Sequence, residues 1–187
     1  MLPIVETANF YLALGTVLLQ VAILAAVVDW AVFNGMYVVR HLAPYALRLA
    51  FLMSLLSIAL TLVYSEVFGF IPCGLCWLQR VFLYPQALIL GIALFRKDTQ
   101  SASAYGIPLS ILGGIIAFYQ HYLQMGGSEF VKCPTSSGDC AQRIVFEFGY
   151  VTFPLMSLTL FIALVVLYMI ARRYVSAVVS TQNHSHV

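Results

Sequence analysis

Five runs of apolar residues constrain this chain more than any other feature. The runs 9–28, 46–64, 77–95, 104–125 and 150–170 each come close to the ~20 residues that a helix needs to cross ~30 Å of hydrocarbon. With 62% of its 187 residues apolar, 9% charged and a mean hydropathy of +0.95, most of the chain is excluded from the surface of a soluble globule. An all-α integral membrane protein with five spans is the fold class that remains. The net charge of +2 carries no sign of a nucleic-acid partner, so charge is informative only through its placement.

The first run is read as a retained span. Glu6 is the only charge before it and it leads into Asp29-Trp30, whereas a cleaved signal wants basic residues before the run and small residues after it. Asp29 is open to two readings, an intramembrane functional carboxylate or an interfacial residue at a helix end beside an aromatic anchor. The organisation expected is an extra N-terminal helix with its connection (1–45), a four-helix core (46–173) and a polar, disordered tail (174–187). Within the core, Pro85 predicts a kink, and Gly113-Gly114 predicts close helix contact.

Arg40, Arg48, Arg96, Lys97, Arg172 and Arg173 fall on one side of such a five-span chain. Arg80, Lys132 and Arg143 fall on the other, which accounts for all nine basic residues. The richer side is expected to be cytoplasmic, with the N-terminus outside. All four cysteines then face outward, into a compartment where thiols tend to be oxidised.

Cys73-Gly74-Leu75-Cys76 puts two thiols where a turn ends and the third span begins. By itself a C-x-x-C is redox-active, metal-binding or structural. A four-thiolate zinc site shared with Cys133 and Cys140 is one alternative, but six residues separate the second pair, wider than usual zinc spacing. Two structural disulfides are another. The redox reading has its own physical account: Cys76 lies in the first turn of a helix, whose positive end favours a thiolate, and Arg80 follows at i+4. A snorkelling interfacial arginine is the bland reading of Arg80. Tyr119-Gln120-His121 falls at a similar depth on the fourth span, which raises His121 above an ordinary packing histidine. The segment between Cys133 and Cys140 is rich in Ser, Gly, Pro and Thr, so it is expected to be mobile and to present a disulfide to another protein. A buried-edge pair plus an external pair suits a two-stage thiol–disulfide relay.

From about Leu47 to Arg173 the sequence resembles the disulfide bond formation protein B (DsbB) family, and within it the shorter-loop BdbC-like members. The resemblance rests on P-C-x-L-C-W-x-Q-R at Pro72 to Arg80, Tyr84-Pro85, Tyr119-Gln120-His121 and Ser-Gly-Asp-Cys-Ala-Gln-Arg from Ser137 to Arg143. It implies a four-helix bundle in the bacterial cytoplasmic (inner) membrane that oxidises a thioredoxin-like partner of the DsbA type. Electrons would pass to the membrane quinone pool, ubiquinone or menaquinone. By position, Cys133 and Cys140 would meet the partner, Cys73 and Cys76 would meet the quinone, and Cys76, Arg80 and His121 would bind it, with no metal. The extra first span and the short Cys133–Cys140 spacing depart from the family core. The alternatives are a vitamin K epoxide reductase-like protein, in which the loop pair would precede the C-x-x-C, and a non-enzymatic membrane subunit.

Overall fold

The computed structural model describes residues 3–133 and 139–184. Among them six α-helices follow one another: α1 (Pro3–Val32), α2 (Val38–Leu42), α3 (Ala46–Leu62), α4 (Gly74–Arg96), α5 (Thr99–Gln124) and α6 (Phe153–His184). A 3-10 turn, Ala43–Tyr45, joins α2 to α3, and a π-helical turn, Val63–Val67, extends α3. Among the described residues there is no strand, only an isolated bridge between Glu147 and Val151. Among the described residues five stretches are long and apolar enough to cross a membrane, Ile4–Val32, Val38–Val67, Gly74–Arg96, Thr99–Gln124 and Phe153–Ser176. The five-span helical membrane fold expected from the sequence is therefore the fold observed.

The centre of the bundle is the α5–α6 contact, with α4 on α5, α3 against both α4 and α6, and α1 against α6. Glycine makes that contact possible. A Cβ added at Gly113 would run into the Phe161 ring, and one at Gly106 into the Tyr168 ring, so the rings of α6 lie directly on the α5 backbone. Lipid is as apolar as the side chains it would replace, so close packing of this kind, rather than a hydrophobic drive, holds membrane helices together. A buried polar cluster ties the same layer: Gln86 on α4 donates to Phe82 O (3.0 Å), while its Oε1 accepts from Ser110 Oγ (2.9 Å) on α5 and Tyr168 OH (3.2 Å) on α6. α4 stays helical through Pro85.

The end of the bundle opposite the cysteines is pinned locally. Lys97, at φ 56°, turns the chain out of α4, and Asp98 then caps α5 by accepting from Ser101 N at 3.0 Å. At the same end Asp29 is buried, at 4% exposure, and its carboxylate accepts from Tyr37 N (3.2 Å) and Val39 N (2.8 Å). Asp29 thus satisfies orphan donors at the start of α2, a structural role fitting the helix-end reading. α6 corrects one expectation. It continues past Arg172-Arg173 to His184, through residues expected to be disordered, because polarity ends a membrane span without ending a helix and no Gly or Pro interrupts 174–184. Arg173 lies 4.4 Å over the Trp30 ring, which ties this end of α6 to α1.

Adjacent glycines of α5 should therefore respond differently to the same change. Gly113→Ala is expected to lower the unfolding temperature in detergent, by overpacking worth ~1–3 kcal/mol. Gly114→Ala, whose Cβ would sit 3.6 Å from Phe161 Cβ and 3.8 Å from Leu158 Cδ1, is expected to leave it unchanged. Equal thermal shifts would show that the Gly113–Phe161 contact does not set the α5–α6 distance.

Candidate functional site

The site is built on the first turn of α4. Cys73 is the N-cap residue, in an extended conformation (φ −70°, ψ 170°), and its Sγ accepts the Cys76 N–H at 3.4 Å. Capping by sulfur folds the C-x-x-C back on itself and brings the two Sγ atoms to 2.8 Å, both as free thiols. The hydrogen bond with Cys76, and after it burial, pushes the Cys73 thiol above the ordinary thiol range.

A second helix completes the sulfur environment. Gln120 on α5 donates through Nε2 to Cys73 Sγ (3.0 Å) and to Cys76 Sγ (3.2 Å). Its carbonyl accepts from Gln79 Nε2 at 2.6 Å, which orients the amide. Amide donors aimed at sulfur bind it more strongly as it gains negative charge. Gln120 is a site residue that sequence reasoning passed over, although it sits inside the Tyr119-Gln120-His121 motif. Depth was the argument for His121, but neighbouring residues on a helix point about 100° apart, so one depth does not mean one face. The structure turns His121 the other way, with Nδ1 at 2.9 Å from Thr152 Oγ1, and His121 is absent from the lining of the cavity described below.

Arg80 is buried, at 8% exposure, and does not snorkel. Its Nη2 donates to Thr61 O on α3 at 2.9 Å, and its guanidinium lies 5.1 Å from the centre of the Trp77 ring. The carbonyl and the ring hold the cation one turn below Cys76.

Cys133 and Cys140 form a disulfide with Cα atoms 6.0 Å apart. Residues 134–138, on which the expected loop mobility falls, lie outside the described residues. The flanks are anchored. Tyr119 OH accepts from Phe130 N (3.1 Å) and Val131 N (2.8 Å), Glu129 Oε1 accepts from Cys133 N (2.8 Å), and Gln124 on α5 donates to Gln142 O (2.8 Å). Cys140 is buried, at 2% exposure, in one cluster with Cys73, Leu75 and Leu123, while Cys133 is half-buried at its edge. The two cysteine pairs thus share one packed end of the bundle.

From the inner pair a cavity of about 400 Å³ opens downward between the helices. Cys73, Cys76, Gln79 and Arg80 line it from α4, Thr61 and Tyr64 from the end of α3, Gln120 from α5, and apolar residues of α1 and α6 complete the walls. Such a volume suits a small organic molecule. The arrangement joins a dithiol, oriented donors, a buried cation and an apolar pocket, the parts a two-electron thiol oxidation needs.

The profile described as "Disulfide bond formation protein DsbB" matches residues 43–171. The chain belongs to the DsbB family. Its relatives include the SPbeta prophage-derived disulfide bond formation protein B of Bacillus subtilis (strain 168), 43% identical over 118 residues, or 63% of this chain and 78% of the relative. Disulfide bond formation protein C of the same organism is 37% identical over 119 residues, 63% of this chain and 85% of the relative. The probable disulfide formation protein of Chlamydia trachomatis serovar D is 36% identical over 136 residues, 72% of this chain and 98% of the relative. No solved structure matches the chain. DsbB membership carries a thiol oxidoreductase role in disulfide bond formation, for a protein that spans the membrane several times. The profile begins at residue 43, so all of α1 lies before it.

Gln120 and His121 can be separated by thiol reactivity. Gln120→Leu is expected to slow alkylation of the inner pair by iodoacetamide about tenfold, the worth of one hydrogen bond to a charged sulfur, whereas His121→Ala leaves it within twofold. The reverse order would return the site role to His121.

Proposed function

We propose that this protein reoxidises an extracytoplasmic thioredoxin-like partner of the DsbA type and passes the electrons to a membrane quinone, ubiquinone or menaquinone. The cavity that runs from Cys76 and Arg80 into the apolar interior is the observation that carries this reading. Its walls fit the group: Arg80 and Gln79 lie near the sulfurs for a polar ring, with apolar helix faces below. When bound, the quinone supplies an acceptor for two electrons and two protons. Disulfide formation by the named relatives supports thiol oxidation over a structural membrane subunit. The excess of basic residues on the end opposite the cysteines supports a cytoplasmic (inner) membrane location with the cysteines outside.

The chain's own residues carry the rest. A partner dithiol attacks the Cys133–Cys140 bond at Cys133, the less buried sulfur, and the mixed disulfide resolves as the partner's second thiol displaces Cys133. The partner loses two electrons and two protons, and Cys133 and Cys140 become thiols. Cys140, packed with Cys73, then exchanges with the oxidised inner pair, so the outer disulfide is restored and Cys73 and Cys76 hold the dithiol. Closing the Cys73–Cys76 bond releases two electrons and two protons toward the cavity. Gln120 orients both sulfurs for that step. Arg80, fixed by Thr61 O and Trp77, holds positive charge where negative charge develops in a setting of low dielectric, where such charge counts for more than in water.

Two measurements test the division of labour. Arg80→Ala is expected to slow quinone reduction by about a hundredfold, the scale of losing one preorganised electrostatic group, with a single turnover of partner oxidation unchanged. Arg80→Lys should be intermediate, since the charge stays but the planar fork is lost. Equal slowing of both steps would make Arg80 a folding residue. Separately, Cys140→Ala should leave Cys133 able to trap the partner as a mixed disulfide visible on a non-reducing gel. Recovery of the same adduct from Cys133→Ala with Cys140 intact would assign first contact to Cys140.

A further inference from the structure

We infer that α1, the helix before the family-matched region, completes the quinone site by walling in the apolar tail, and that Gly15 determines how much room that tail has. The inference rests on the quinone reading above and adds to it a helix and a residue that the four-helix core does not contain.

The cavity-facing residues of α1 are Tyr11, Leu12, Gly15, Thr16 and Leu19. Their spacing of i, i+1, i+4, i+5 and i+8 is one continuous helical face, about 12 Å long at ~1.5 Å per residue. Facing it, α3 contributes a matching stripe, Met53, Leu56, Ser57 and Leu60, below Thr61 and Tyr64. The space is therefore a slot that runs along the helices, with the sulfurs and Arg80 at one end and apolar side chains along its length.

Two polar clamps bracket that face of α1. Above it, Asn9 Oδ1 accepts from Tyr64 OH on α3 at 2.6 Å, both side chains being buried. Below it, Gln20 Nε2 donates to Thr159 Oγ1 on α6 (3.1 Å), and Gln20 Oε1 accepts from Tyr150 OH (3.1 Å). Between the clamps α1 is held in place while its inner face borders open volume. Gly15 sits in the middle. Glycine in a membrane helix ordinarily lets a neighbouring helix come close, as Gly106 and Gly113 do here. At Gly15, by contrast, a Cβ would meet no atom within 4 Å. No neighbour uses the missing side chain, and its absence instead deepens the slot. Gly15 is exposed at the border of the cavity and a Cβ there enters open space, so a larger side chain is placed to compete with a ligand tail.

The test uses the full-length protein in lipid nanodiscs, with decylubiquinone and the tail-less 2,3-dimethoxy-5-methylbenzoquinone as acceptors. Gly15→Phe is expected to raise the KM for decylubiquinone at least about tenfold, the scale on which an apolar pocket discriminates by size. The KM for the tail-less quinone should stay within about twofold, and single-turnover oxidation of a reduced thioredoxin-like partner should be unchanged. Gly15→Leu should give the same ordering with a smaller rise. Val21→Phe, outside the cavity-lining face of α1 at 59% exposure, should behave as wild type. An unchanged KM for decylubiquinone in Gly15→Phe, as when lipid acyl chains alone occupy the slot, overturns the assignment of α1. An equal rise for both quinones also overturns it. If the wild-type protein reduces neither quinone, the quinone reading itself falls, an outcome distinct from the other two.

Discussion

The Cys73 sulfur is the point on which the packing at the cysteine end of this bundle depends. One atom caps α4 by accepting the Cys76 N–H, lies 2.8 Å from the Cys76 sulfur, and accepts from Gln120 on α5. It also packs in the cluster that buries Cys140. Helix initiation, the approach of α4 to α5 and the meeting of the two cysteine pairs are thereby coupled. A cap needs an acceptor at the N-terminus of a helix, and in most proteins an oxygen serves. A sulfur in that place turns a structural requirement into a reactive centre.

Around that centre the bundle uses polar groups sparingly, and some of them bridge helices. Gln86 joins α4, α5 and α6 through Ser110 and Tyr168. Gln79 fixes the amide of Gln120, and Thr61 O and Trp77 fix Arg80. In hydrocarbon an unsatisfied polar atom is costly, so each bond restricts which helix faces can meet. The Gln79, Thr61 and Trp77 contacts also orient the donor and the cation beside the sulfurs. Preorganisation of this kind places charge stabilisation before a reaction begins.

The position of the outer disulfide limits what the external loop has to do. Cys140 already lies with Cys73 at the bundle end, and the segments on either side of the pair are tied to α5 through Tyr119 and Gln124. A short spacing between Cys133 and Cys140 suits this arrangement, since no long excursion is needed to bring one pair to the other. Both pairs share a single hydrophobic cluster, and the cavity below it is walled by α1 and α3 as well.

Hydropathy and motif spacing by themselves determined a good deal of this protein. The apolar runs set the five spans, because a helix must be about 20 residues long to cross a bilayer, and the C-x-x-C ahead of the third span marked the end of the bundle where both cysteine pairs lie. What the sequence did not disclose was which way side chains turn. His121 and Gln120 share a depth, and only the rotation of α5 decided that Gln120 meets the sulfurs while His121 meets Thr152. α6 runs on past Arg172-Arg173 to His184, since charge limits hydrocarbon burial and leaves helix formation free. The burial of Cys140 against Cys73 and the use of α1 as a cavity wall were likewise decided by tertiary structure. Contacts between residues far apart in sequence depend on the rotation and offset of whole helices, and hydrophobicity along a nearly uniform apolar helix carries almost no information about either.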